Sequence, residues 1–362
     1  MTEAAARFGV TRLADITRLD EPGLPIASAV RRNPIGESVS VASGKGASPL
    51  AARVAALAEA LERYCAEPRG RLPVRMARCD ELDGSYLDPR LLILPAAFDP
   101  AWSLDWCSGA SIPGTSIWVP ANAVVFPYYP TTGAARLCAA HTHGLAAGST
   151  RVEAIVHGLL ECIERDAYSR ALALASVGRG DEVPVVSTDA VRSVVADRID
   201  RLRAAGLRIQ VRDLTADTDV ATILCTIGDA DLYHMGIASH PDGCHALRRA
   251  IDEAAQSRLV DLQGAREDLP PRSAPPVDPW FVLAGAAPVV DVPRGWSPPA
   301  LGDALAWLEQ RLARLALHPI IVDLGLPEID MAVVRVITPG LEVWAFDPSR
   351  VGRRAETWLD QP

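Results

Sequence analysis

Glu153, His157, Glu161 and Glu164 are spaced so that on an α-helix they fall at about 0, 40, 80 and 20 degrees, a single narrow stripe. Like charges at such spacings destabilise a helix by on the order of 1 kcal/mol in total unless a cation sits against them. Glu59 and Glu62 add two more carboxylates, about 60 degrees apart by the same arithmetic. Carboxylate oxygens are the ligands Mg²⁺ prefers, usually shared with substrate phosphates and water. Blander readings stand beside this one: Glu153 as a capping-box partner, the other glutamates as surface residues, His157 as a packed or solvated imidazole. The gathering of four such groups on one stripe, beside a repeated Glu-x-x-Glu-Arg at 59–63 and 161–165, favours ligation.

Two glycine-bearing approaches precede helices: Ser43-Gly44-Lys45-Gly46-Ala47-Ser48, and the run from Thr142 through Gly144 and Gly148 to Thr150. Glycines let backbone N–H groups approach an anion, and a following helix N-terminus favours phosphate; an ordinary Gly turn before a helix is the alternative. The first is not a Walker A loop, which would place Gly at Val39 and Ser or Thr at Gly46. Lys45 is the sole lysine; every other member of the 36 Lys+Arg is arginine, as the coding bias of a GC-rich genome produces. A lysine retained against that background reads either as a place for a compact ammonium rather than a planar guanidinium or as a chance survival. A third stripe carries Arg249, Glu253 and Gln256 at about 0, 40 and −20 degrees, with Arg258 close by. It reads either as an Arg for phosphate and a Glu for metal, or as a plain Arg249–Glu253 ion pair.

Three helices must position these groups. The first is expected from about Pro49 to Cys65, with Ser48 as N-cap and Leu50, Val54, Leu57 and Leu61 as its apolar face. The second runs from about Thr150 to Leu174, with a Thr150/Glu153 capping box and Val152, Ile155, Val156, Leu159 and Ile163 buried. The third spans about Cys244 to Leu262. Residues 1–40 read as irregular or edge structure, and 66–148 as Pro- and Gly-rich with strand-like runs at Ser116–Val119 and Ala123–Phe126. Further on come a helix near 189–205, strands near 208–212, 221–227 and 232–238, a Pro-rich loop at 268–279, then a helix at 301–317 and strands at 319–324 and 332–337. Such alternation predicts a mixed α/β fold.

The chain has 362 residues, 49% hydrophobic and 22% charged, with a formal net charge of −9. That balance excludes disorder as its main state and, with no basic stripe, a general nucleic-acid binder. Seven cysteines without a C-x-x-C pair fit neither a disulfide framework nor a zinc knuckle, and are expected to be reduced. No signal pattern or apolar run of 18 residues is present, so a cytoplasmic protein without a membrane partner is expected.

The run SGKGASPLAARVAALAEALERYCAE resembles the first motif of the YcaO family, GLAAGSTRVEAIVHGLLECIERDA the second, and HALRRAIDEAAQSRLVDLQGARED the third. The opening GVTRLADITRLDEPGLPIASAVRRN, the late VVRVITPGLE and the following DPSRVGRRA are also similar to the family, so the resemblance spans residues 8–355, with 1–7 and 356–362 as short tails. It implies one large catalytic domain of the YcaO type, internally pseudo-duplicated, with sheets flanked by helices. It implies an ATP-dependent enzyme that phosphorylates a peptide amide oxygen so that a nucleophile can attack the carbon. By motif position Glu59, Glu62, Glu153, Glu161, Glu164 and Glu253 would hold Mg²⁺, while Lys45, Ser48, His157, Arg165, Arg249, Gln256 and Arg258 would contact ATP; no catalytic base is assigned. Ala55 departs from a serine common in the family, and His143 from an asparagine. A proline-rich PxPxP ending, common in azoline formers, is not matched by Trp358-Leu359-Asp360-Gln361-Pro362. The resemblance therefore leans to the thioamide branch, with external sulfide as nucleophile, a precursor peptide or protein as substrate and a TfuA-like partner; azoline formation on Cys, Ser or Thr and a non-catalytic nucleotide-binding accessory are the alternatives. A homodimer is expected only on general frequency.

Overall fold

A computed structural model describes residues 2–112, 114–229, 232–267, 287–345, 347 and 349–360. The Pro-rich stretch expected to be a loop at 268–279 lies outside them. The chain divides into two compact units: residues 1–32, 39–60 and 170–299 form the first, and residues 33–38, 61–169 and 300–362 the second. The division falls inside two helices, after Ala60 in α2 (Pro49–Ala66) and after Ser169 in α3 (Arg151–Ser176).

In the first unit, α1 (Thr2–Arg7) leads into a three-stranded antiparallel sheet of β1 (Val10–Asp15), β2 (Ile26–Arg31) and β3 (Val41–Lys45). Of the irregular or edge structure expected over 1–40, β1 is an edge strand, whereas β2 is the central strand of the sheet. The run Ile26, Ala27, Ser28, Ala29 is buried throughout, so the strand lacks the in-out alternation that would reveal it, and the pairing is fixed by partners 11 to 21 residues away. The segment 41–45 is likewise a strand, where a glycine loop is expected. A second sheet has the order β11-β10-β9-β8-β12: β8 (Val185–Val186), β9 (Arg208–Asp213), β10 (Ala221–Gly228), β11 (Tyr233–His240) and β12 (Val289–Val290). Every residue of β10, an interior strand of this sheet, is buried.

Helices α4 (Thr188–Ala204) and α5 (Gly243–Gln263) cover this sheet. Helix α5 is started by Asp242, whose side chain accepts from the N–H groups of Cys244 and His245, and ended by Gly264 at φ 62°. Its buried face is Ala246, Leu247, Ala250, Ile251, Ala254 and Ala255, and at Ala250 and Ala254 β11 approaches closely. Gly236 of β11 is required there, because a Cβ would come within 2.3 Å of the Ala254 nitrogen. Glu253 and Gln256 are half-buried beside this face.

In the second unit, β4 (Arg75–Ala77), β5 (Leu104–Ser111), β7 (Leu145–Gly148), β13 (Ile320–Asp323) and β14 (Ala332–Ile337) form a sheet in the order β4-β5-β13-β14-β7, with β6 (Ser116–Pro120) on β5. The expected strand at Ala123–Phe126 does not form: Ala121–Ala123 is a 3-10 turn, and the Asn122 side chain instead accepts the Leu137 N–H at 2.7 Å. Two further helices, α6 (Leu301–Arg314) and α7 (Arg353–Asp360), complete the unit, so both expected tails begin or end in helix.

The first helix also differs in its buried face. Leu50 and Val54 are exposed, whereas Ala52, Ala56 and Ala60 are buried with Leu57 and Leu61. Alanine is the packing surface because β3 lies close: a Cβ on Gly44 would stand 2.1 Å from the Ala56 nitrogen. In the second unit Gly148 repeats this relation to α3, where a Cβ would fall 2.5 Å from the Ala154 nitrogen. Both glycines thus serve strand-on-helix packing.

Candidate functional site

In the first unit β3, α2 and α5 bring five of the sequence-flagged or neighbouring groups together. Lys45, the last residue of β3, sets its Nζ 2.7 Å from Glu253 Oε2 on α5. One turn along α5, Gln256 Nε2 donates to Ser43 Oγ at 3.0 Å, and the Ser43 N–H donates to Glu59 Oε2 at 2.9 Å. The lone ammonium is therefore held end-on by a half-exposed carboxylate, and a second carboxylate is oriented by the backbone two residues before it. Arg249 is exposed, with no carboxylate ion pair among the described residues, so the Arg249–Glu253 pair does not form; Lys45 takes that glutamate. Arg258 is engaged by Asp20 at 3.1 Å and Asp229 at 2.9 Å. Ser48 caps α2 as expected, its Oγ accepting the Ala51 N–H at 3.2 Å. Ser43 is the residue that the spacing did not single out, and its only sequence signal is its place at the start of the first glycine approach.

In the second unit, Glu153, His157, Glu161 and Glu164 are all half-buried, so the stripe is not a solvated face. Glu161 Oε2 accepts the Gly144 N–H at 3.0 Å, and Glu62 Oε1 accepts the Ala147 N–H at 2.7 Å. Arg165 lies 3.5 Å from both Glu161 and Glu164, supplying a cation against the stacked carboxylates. His157 Nδ1 stands 3.4 Å from the Ala147 carbonyl oxygen. Glu153 caps the helix with a shift of one residue: its own N–H donates to Thr150 Oγ1 at 3.1 Å, but its carboxylate accepts from the Ser149 N–H at 2.7 Å and from the Ser149 hydroxyl. The Ser149 hydroxyl bond is the main cause holding the Glu153 carboxyl below its usual value.

Each unit therefore repeats one device. The backbone ahead of a helix donates an N–H to the first glutamate of Glu-x-x-Glu-Arg: Ser43 to Glu59 in one, Gly144 to Glu161 in the other. The five-residue echo in the sequence has a matching local geometry.

The sequence model of the YcaO family, described as YcaO cyclodehydratase, ATP- and Mg²⁺-binding, matches residues 43–342. The chain belongs to the YcaO family. This YcaO chain is 38% identical to an uncharacterized protein of Methanothermobacter thermautotrophicus over 364 aligned positions, 96% of this chain and 93% of that protein. An uncharacterized protein in the tfuA 3′ region of Rhizobium leguminosarum bv. trifolii is 32% identical, covering 93% of this chain and 84% of its own. Among solved structures, YcaO from Methanopyrus kandleri, bound with AMPPCP and Mg²⁺, matches with a TM-score of 0.78 at 25% identity, over 97% of this chain and 91% of that one.

The residues present fit the two groups that the family description names. The donors are hard carboxylate oxygens: in the first unit Glu59 is fixed by a backbone N–H and Glu253 is paired with Lys45, and in the second Glu62 and Glu161 are each fixed by a backbone N–H. Among the described residues no three His, Cys, Asp or Glu side chains converge as a metal cage. Mg²⁺ is bound through one or two carboxylates and completes its shell with phosphate and water, which carboxylates of this kind can supply. The seven cysteines are all free, and no described helix is long and apolar enough to cross a membrane.

Proposed function

We propose that this YcaO protein is an ATP-dependent enzyme that phosphorylates a backbone amide oxygen in a ribosomally made peptide or protein and directs hydrosulfide to the activated carbon, giving a thioamide. The Lys45–Glu253 pair, tied into the Ser43, Glu59 and Gln256 network, is the observation that carries the nucleotide reading. It holds the chain's only ammonium at the end of a strand, with an exposed guanidinium on Arg249 of the neighbouring helix, a disposition suited to anionic phosphate oxygens. We assign Glu59, Glu62, Glu161, Glu164 and Glu253 to Mg²⁺, and Lys45, Arg249 and Gln256 to phosphate. Arg165 keeps the α3 carboxylates together, Ser48 and Glu153 fix the helix starts, His157 lies on the same stripe, and Arg258 acts through its two aspartates. ATP and Mg²⁺ supply the phosphoryl group and the charge neutralisation; the side chains contribute position and electrostatic stabilisation, which dominate this class of transfer.

The relative in the tfuA 3′ region supports a TfuA-like partner and the thioamide branch. The test is phosphate release from ATP with and without a candidate precursor peptide, followed by the peptide's mass. Peptide-stimulated release with a gain from exchange of oxygen for sulfur supports the reading, and loss of one water would move it to azoline formation. Tight ATP binding with no peptide-stimulated release would overturn it in favour of a nucleotide-binding accessory protein.

A further inference from the structure

The second unit holds a partly open cavity of ≈ 70 Å³ lined by His141, His143, Cys162, Arg165, Arg335 and Arg350, among others. One water needs roughly 10–15 Å³ by this measure, so there is room for a small ligand. Arg335 is 1% exposed, and its contacts are one-sided. Nε donates to the Ala123 oxygen at 3.0 Å, and Nη2 donates to the His141 oxygen at 2.8 Å and to His141 Nδ1 at 3.1 Å. Nη1 is buried with no hydrogen-bond acceptor among the described residues.

No described carboxylate pairs with Arg335 or with Arg350, which is 5% exposed and donates to the Ile93 oxygen. Glu342, which also lines the cavity, is engaged by the N–H groups of Ala355 at 2.9 Å and Gly352 at 3.1 Å. Burial brings Arg335 down to about 10, which leaves it cationic at neutral pH. His141 and His143 are held well below their usual values, first by burial and then by Arg335 and Arg165 respectively, so they are neutral. Cys162 Sγ donates to the Val336 oxygen at 3.7 Å, so the thiol stands in the wall as a weak donor. A buried guanidinium with an unmatched N–H is costly unless an anion joins it.

We propose that this cavity binds a small monoanion and that, resting on the thioamide reading above, the anion is hydrosulfide. Walls of Cys162, Val336 and Leu341 beside guanidinium groups suit a soft, weakly hydrated ion. Arg165, shared with the Glu161/Glu164 stripe, links the cavity to the candidate Mg²⁺ carboxylates. The step balances: hydrosulfide sulfur bonds to the activated amide carbon, the C–O bond breaks, and phosphate leaves with the electron pair and takes the proton from sulfur. His143, where the family commonly has asparagine, stands on this wall.

The test is crystals of the whole protein soaked in bromide, followed by titration of the protein in solution with hydrosulfide and, separately, inorganic phosphate. An anomalous bromide peak within hydrogen-bond reach of Arg335 Nη1, with bromide displaced by hydrosulfide, is expected. Water alone in the cavity overturns the proposal, and displacement only by phosphate overturns the hydrosulfide assignment. Arg335→Gln should weaken hydrosulfide binding at least tenfold, and if that variant does not fold, Arg350→Gln decides; unchanged affinity in the folded variant counts against the site. ATP turnover with a water-filled cavity removes this inference alone. A bound anion without peptide-stimulated ATP turnover keeps the anion site and refutes its place in the reaction.

Discussion

Lys45 is the residue on which composition and geometry agree. An ammonium presents its charge as a point, and here it meets one oxygen of Glu253 at 2.7 Å from the end of a strand. A guanidinium in the same place needs a wider, planar partner. Lys45→Arg, although every other basic residue of the chain is already arginine, should lower kcat/KM for ATP about tenfold, the equivalent of about 1.4 kcal/mol, with a native circular dichroism spectrum. Glu161→Gln and Glu253→Gln keep the shape of their side chains and remove the charge. Both should lose Mg²⁺-dependent phosphate release while melting within a few degrees of the parent, and unchanged turnover in both would remove these residues from the site. Spacing alone flagged each of these glutamates. Arg335 was legible only as part of VVRVITPGLE, because neither its burial nor its unmatched N–H has a local signature.

At the scale of elements, the two strand-then-helix segments behave alike, and their glycines are packing residues. Gly44→Ala would drive a methyl group into the α2 backbone, an overpacking that costs about 1–3 kcal/mol, read as a lower denaturation midpoint in urea. The N-terminal turn of α3 should depend on acid. Glu153 has its folded value lowered, first by the Ser149 hydroxyl, so its contribution is fully present above the unfolded carboxylate value near 4.5 and is lost as pH falls through the lower folded value. Ser149→Ala should therefore destabilise at neutral pH and converge with the parent in acid, which thermal melts across that range will show. Helix positions of α2, α3 and α5 follow from periodicity and caps, since the residues that decide them lie within one or two turns. The burial of Ala52, Ala56 and Ala60 in place of Leu50 and Val54 does not, because the closeness of β3 sets it.

For the molecule as a whole, ligand binding should appear as stability. If ATP with Mg²⁺ binds the native state, a concentration about a hundredfold above Kd should add about 2.7 kcal/mol and raise Tm, and chelation of the metal should abolish the gain. ATP that shifts Tm equally with and without Mg²⁺ would separate the carboxylates from the nucleotide.

The sequence by itself determined the three key helices, the carboxylate stripe of α3, the capped start of α2 and the family, because periodicity, caps and motifs are local properties of a chain. Tertiary structure decided that residues 10–45 form a sheet, that Lys45 reaches a glutamate 208 residues later, and that Arg335 is buried beside the histidines of a cavity. Strand pairing, ion pairs and burial depend on which distant segments the core brings together, and no window of the sequence contains that information.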